Sequence, residues 1–381
     1  MSEGGPATAR RVVVTGLGTV NASTAGGREA LAGALALGRS AIGPVRSFAT
    51  AGCASGLAAE VDETTLASLV DRDAGRRLSR ICRLALAACQ LAVRDAGIAG
   101  GPGLGIVVGT EYGDFTSSRD FAHGFLRRGP AGLSPMIFPN TVMNTMASIA
   151  AIAVGAKAPS VTVNQATLAG DLAVARGARL IADGRALAVV AGGVDELFED
   201  VYRRLSQMGA LSPMQSRAAE GCRPFAPDHN GPVLGEGATF LVLEELEAAR
   251  ARGATIHAEM LGSAWGSIPV APHTAPASRR DAHQTVRRAL ERAGVAADSL
   301  GRSYGSGNGD PALDDWELRL LEADGIRNPV SLAPLFGQHG GLGALRAAAG
   351  TLAARADGAP ALVHGIARGG CRTAMVIGRA A

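Results

Sequence analysis

Leu234-Gly-Glu-Gly237, Ala238-Thr-Phe-Leu-Val-Leu243 and Glu244-Glu-Leu-Glu-Ala-Ala-Arg-Ala-Arg-Gly253 run together in the middle of the chain. Residues 238–243 read as a strand, and residues 245–251 as the helix that follows it. The strand lacks the polar alternation of a sheet with one wet face, so both its faces are expected to be covered. The theme repeats outward in both directions. Upstream, residues 11–16, 105–109, 161–164 and 187–191 read as further buried strands. Helices are predicted over 80–95, where Ile81, Leu84, Ala85, Ala88 and Ala92 share one face, over 140–154 as a buried helix, and over 168–182. Downstream, helices near 281–293, 313–323 and 343–354 alternate with strands at 303–305 and near Ala361 and Thr373. Such alternation defines an α/β protein with helices covering its sheets. No Pro/Ser-rich linker divides the chain, and two intimately packed halves are expected, meeting near residues 245–262.

Composition narrows the function. Hydrophobic residues make up 47% of 381 and charged residues 19%, which excludes a disordered chain. Aromatics at 4% and an evenly spread net charge of +3 argue against a nucleic-acid partner. No apolar run approaches the ~18 residues of a membrane span, and the N-terminus lacks an apolar leader core. The five cysteines (Cys53, Cys82, Cys89, Cys222 and Cys371) show no metal-type pair spacing, and reduced thiols in a cytoplasm are the simplest reading. Of 37 basic residues only Lys157 is a lysine, so any mechanism that needs one must use Lys157. Lys157 itself reads as a solvated turn charge.

Several motifs in order carry a resemblance. Arg10-Arg-Val-Val-Val-Thr-Gly-Leu-Gly18, Met208-Gly-Ala-Leu-Ser212, Arg223-Pro-Phe-Ala-Pro-Asp-His-Asn-Gly231 with Leu234-Gly-Glu-Gly237, and Gly369-Gly370 resemble the β-ketoacyl synthase family. That resemblance spans nearly the whole chain. It implies the thiolase-like fold: two similar halves, 1–250 and 251–381, packed as a five-layer α-β-α-β-α sandwich. Active family members carry a Cys nucleophile at a strand-to-helix elbow, with two assisting histidines, a lysine and a gating Phe.

This chain departs from that set. The family's T-A-C-x-S-G at the elbow is Gln165-Ala-Thr167-Leu-Ala-Gly170 here, which puts Thr167 at the nucleophile. A helix dipole alone does not ionise a hydroxyl as it does a thiol; the plainer reading is that Thr167 caps the following helix through its side-chain oxygen. The first histidine becomes Ser306 in Ser306-Gly-Asn-Gly-Asp-Pro311-Ala-Leu-Asp314-Asp-Trp-Glu317, whose Pro311, Asp314 and Glu317 secure the register. At the second, in Gly337-Gln338-His339-Gly340, either His339 or Gln338 takes the histidine's place. The lysine is absent, Arg368 replaces the gating Phe, and the segment before it is short, which fits a closed or reshaped mouth. Cys53-Ala-Ser-Gly56 spells a nucleophile motif in a loop with no strand before it, and reads as chance.

A kept signature with lost chemistry resembles the chain length factors, the ketosynthase-β subunits of bacterial type II polyketide synthases. The resemblance implies no catalytic residue, no cofactor and no metal. It implies a heterodimer with an active ketosynthase-α subunit, an acyl carrier protein reached through that partner, and a role in setting polyketide chain length. Thr in place of the frequent Gln at the elbow points to the branch serving highly reducing, polyene-forming systems. Tunnel residues expected on this basis are Tyr112, Phe115, Met136, Ile137 and Met143, with Phe121 a further candidate; ordinary packing is the alternative. Two other classes stay open: a ketosynthase-fold acyltransferase or decarboxylase using Thr167 or His339, and an acyl- or carrier-binding module. Arg127-Arg128 reads as a solvated helix end or as a face for an acidic carrier protein.

Overall fold

The computed structural model describes residues 10–213, 219–271, 274 and 283–380. Among the described residues, the nine strands of three or more residues are β1 (Val12–Asn21), β2 (Leu104–Thr110), β3 (Ser160–Asn164), β4 (Ala188–Asp195), β5 (Gly237–Glu245), β6 (Ala258–Ser267), β7 (Arg302–Tyr304), β8 (Ala361–Ile366) and β9 (Cys371–Gly378). They lie side by side in the order β7-β8-β9-β6-β1-β5-β4-β2-β3, and a two-residue strand joins the end of β1. The principal helices are α1 (Arg80–Ala96), α2 (Phe115–Arg128), α3 (Thr145–Val154), α4 (Ala169–Ala182), α5 (Glu199–Gln207), α6 (His283–Ala293), α7 (Pro311–Ala323) and α8 (Leu342–Asp357).

The sheet bends at its middle, where β1 and β6 share only the pairs Val13↔Glu259 and Val14↔Ala258. Helices α4 and α8 fill the space between its two wings, and the strands sort their side chains accordingly. Val107, Val189, Leu241 and Leu243 join Val174, Ile181, Leu345 and Ala348 in this central layer. Ile106, Val108, Val190, Phe240 and Val242 turn the other way, onto α1 and α3. On the second wing, Ala264, Leu362, Ala374 and Val376 face Val286 and Leu290 of α6 and Leu321 of α7. Helix, sheet, helix, sheet, helix is the expected layering, and it explains the strands that lack polar alternation.

Three expectations need correction. The strand 161–164 is not buried: β3 is the last strand of its wing, and its residues are half-buried or exposed. The helix expected over 140–154 starts only at Thr145, after a 3-10 turn at Phe138–Thr141, and one face is bare, with Ile152 83% exposed. Strand β6, the join between the wings, was not anticipated, because Gly262 and Gly266 break its apolar pattern. The predicted start of α6 at Asp281 lies outside the described residues.

Candidate functional site

Strand β3 leads into the turn 165–168 and then into α4. Thr167 holds φ +65°, a left-handed backbone that a β-branched residue adopts only under constraint. The turn is tight because the end of β2 presses against it. A Cβ added at Gly109 would lie 2.1 Å from the Ala169 carbonyl oxygen, and one at Gly170 would lie 2.8 Å from the Ala344 nitrogen and the Gly340 oxygen. The expected side-chain cap is not formed. Leu168 takes the N-cap position with no side-chain bond. Instead, the Thr167 N–H donates to Glu111 Oε2 at 3.0 Å.

Glu111 was not singled out by sequence. It follows β2 directly, and its backbone is pinned from both sides. Its N–H donates to Asp195, as do the Tyr112 N–H and the Thr110 hydroxyl. Its carbonyl accepts from Asn164 Nδ2 at 2.8 Å. Burial raises the Glu111 carboxyl above its ordinary value, against the bonds from Thr167 and Tyr112. Asp195 is pushed up to about 7, first by burial and then by the neighbouring Glu111 charge.

These groups open onto a cavity of about 840 Å³. Thr167, Glu111, Gln338, His339, Asp310 and Arg368 line its polar part, while Tyr112, Phe115, Phe198 and Leu205 line its apolar part. Tyr112 meets Phe198 edge-on with ring centres 6.1 Å apart, and Phe115 lies 5.6 Å from the same ring. Phe198 is a second residue that sequence reasoning missed, since it sits in an unpatterned stretch. Met136, Ile137 and Met143 do not line this cavity. Met136 is 87% exposed, and Met143 packs on Gly113, where an added Cβ would meet its Sδ at 2.5 Å. Phe121 stacks on Phe138, also outside the cavity.

Ser306 is absent from the cavity lining. Its N–H and hydroxyl donate to Glu317, while its Oγ accepts the Ile366 N–H at 2.9 Å. Asp314, one helical turn before Glu317 on α7, accepts the N–H groups of Asn308, Gly309 and Phe225 at 2.9–3.1 Å. Asp314 and Glu317 are therefore loop clamps. Arg368 grips Asp310 with two nitrogens at 2.8 and 2.7 Å across the mouth.

Gln338 and His339 both reach the cavity. His339 Nδ1 accepts the Gly341 N–H at 3.1 Å, while its Nε2 and both polar atoms of the Gln338 amide have no protein partner. Burial, helped by the Arg346 charge, lowers His339 to about 3, so its imidazole is neutral at pH 7. In the unfolded chain it binds a proton near its ordinary value of about 6.5. His339 therefore contributes stability above that value, and the contribution is lost as pH falls from about 6.5 toward 3. The expected result is that His339→Asn unfolds at lower pH than the parent, with a differential on the order of 3–5 kcal/mol across this window. Acid titration followed by circular dichroism checks it; coincident curves would remove His339 from the acid response.

Cys53 lies in a turn away from the cavity, against Tyr202 and Leu211 and 3.8 Å from an Arg203 nitrogen. Lys157 is exposed, and Arg127 and Arg128 end α2. Among the described residues, no helix is long and apolar enough to cross a membrane.

The layered sheet and the strand-to-helix elbow define a thiolase-like ketosynthase fold. Residues 9–249 match the family model described as "Beta-ketoacyl synthase, N-terminal domain", and the chain belongs to the β-ketoacyl synthase family. It is 31% identical over 367 residues to a 3-oxoacyl-[acyl-carrier-protein] synthase 2 of Synechocystis, covering 93% of this chain and 88% of the relative. It is 32% identical over 371 residues to a putative polyketide beta-ketoacyl synthase 1 of Streptomyces virginiae, covering 93% and 87%. Among solved structures, "The ishigamide ketosynthase/chain length factor" superposes with a TM-score of 0.86 at 29% identity, over 98% of this chain and 100% of that one.

Proposed function

We propose that this chain is the catalytically degenerate partner of an active ketosynthase, and that it shapes the acyl tunnel and sets polyketide chain length. One observation carries the reading: the elbow presents a threonine whose N–H is already taken by a carboxylate, while the aromatic end of the cavity is intact. The likeness to a ketosynthase/chain length factor structure supports it. So does the surface beside the elbow. The edge strand β3 offers unpaired backbone groups, and Met136, Val142 and Ile152 are bare apolar side chains on the neighbouring segments. A second ketosynthase-fold chain is the occupant that this edge and its apolar border suit. Met136 and Ile137 then reach toward the partner's pocket, and the acyl carrier protein docks through the partner. The branch serving highly reducing, polyene-forming systems is the finer assignment we attach to Thr167.

Co-expression with its cognate Cys-His-His ketosynthase should yield a 1:1 complex on co-purification. The chain alone should form no acyl-enzyme with an acyl carrier protein. Thr167→Cys alone should not condense, because the first histidine and the lysine remain absent and such groups act as a unit. Acylation of the purified parent chain that disappears in Thr167→Ala would establish the acyltransferase alternative instead.

A further inference from the structure

Glu111 is the one acidic side chain that touches the elbow backbone among the described residues, and its place is built rather than incidental. Asp195 holds its N–H, and Asn164 holds its carbonyl. The carboxyl is left aimed at the Thr167 N–H. That N–H, one residue before the Leu168 N-cap of α4, is the donor an elbow offers to the oxyanion of a reacting carbonyl. We infer that Glu111 is a built-in occluder: its carboxyl occupies the position at the elbow that an acyl carbonyl oxygen would take, and closes the site to acylation from within. The inference rests on the reading of this elbow as a degenerate ketosynthase site, but not on the partner.

Two consequences follow from the charge and the bond together. A thiol introduced at position 167 would face a carboxylate in a confined space, and a like charge raises its pKa by about 1–3 units. It would also lack the elbow N–H, which Glu111 retains. Threonine in place of a thiol at position 167 is therefore only half of the inactivation.

The test compares Thr167→Cys with Thr167→Cys/Glu111→Gly and Thr167→Cys/Glu111→Gln. Two readouts are used: iodoacetamide modification of position 167 against pH, followed by peptide mass spectrometry, and acyl transfer from an octanoyl acyl carrier protein. Removing Glu111 as Gly should speed alkylation at pH 7 about tenfold or more, through a thiol pKa lower by about one unit or more. It should also permit acyl transfer. Glu111→Gln should lower the thiol pKa but keep transfer blocked, since its amide oxygen still accepts the N–H. Equal rates and equal thiol pKa values with and without Glu111 would overturn occlusion. Should the Gly variant fail to fold, an unchanged thiol pKa in the Gln variant overturns it equally. Either failure leaves the pairing proposal standing, whereas absence of a 1:1 complex would remove that proposal and leave occlusion untouched.

Discussion

Phe198→Ala, assembled with the cognate ketosynthase, is expected to lengthen the polyketide by one or more extension units. Phe198 is 4% exposed and closes the apolar end of the cavity, with Tyr112 and Phe115 leaning on its ring. Deleting the ring enlarges an apolar wall, where each added methylene gains about 0.8 kcal/mol from burial. The same change removes buried packing, and a loss of about 3–5 kcal/mol in unfolding free energy should accompany it. The two effects separate experimentally. Size exclusion confirms the complex, urea titration reads the stability, and mass spectrometry reads product length. Phe115→Ala and Tyr112→Ala should shift length in the same direction. An intact complex whose products are unchanged in all three variants would leave this chain as a scaffold for its partner only.

Arg346→Met should destabilise the chain by about 3–5 kcal/mol. Arg346 on α8 donates to both Asp171 oxygens, at 2.8 and 2.9 Å, and ties α8 to the first turn of α4. Both side chains are buried at 1% and 0% exposure, so removing one leaves an uncompensated charge in the central layer. Burial already raises the Asp171 carboxyl, and Arg346 opposes that rise. Without Arg346 the folded-state value climbs further above the unfolded one. The variant's deficit should therefore grow as pH rises through that interval and shrink below it, where Asp171 is protonated in both states. Arg346→Met/Asp171→Leu should recover most of the loss, because a packed apolar pair replaces the ion pair. Urea unfolding at pH 5 and pH 8 checks the sign. A single variant within about 1 kcal/mol of the parent would mean that the pair contributes little.

Both residues show where sequence reading stops. Asp171 and Arg346 lie 175 positions apart, and nothing local to either marks them as partners. Phe198 and Glu111 are equally silent: one lies in an unpatterned stretch, and the other looks like any polar residue after a strand. By contrast, Pro311, Asp314 and Glu317 were legible. The i, i+3 spacing places both carboxylates on one face of α7, where they clamp the loop holding Ser306. The cap assigned to Thr167 failed for a reason of the same kind. Its left-handed backbone is set by the close approach of Gly109 and Gly170 to neighbouring segments, which no single-sequence pattern displays.

The sequence by itself determined the α/β alternation, most of the strands covered on both faces, and the threonine and serine that stand at positions 167 and 306. Those features are written in short-range periodicity and in motifs of fixed spacing. Only the tertiary structure decided that β3 is an exposed edge, that β6 joins the two wings, and that Glu111 sits on the Thr167 N–H. Each of these depends on which distant segment packs alongside, and that choice belongs to the assembled layers rather than to any local run of residues.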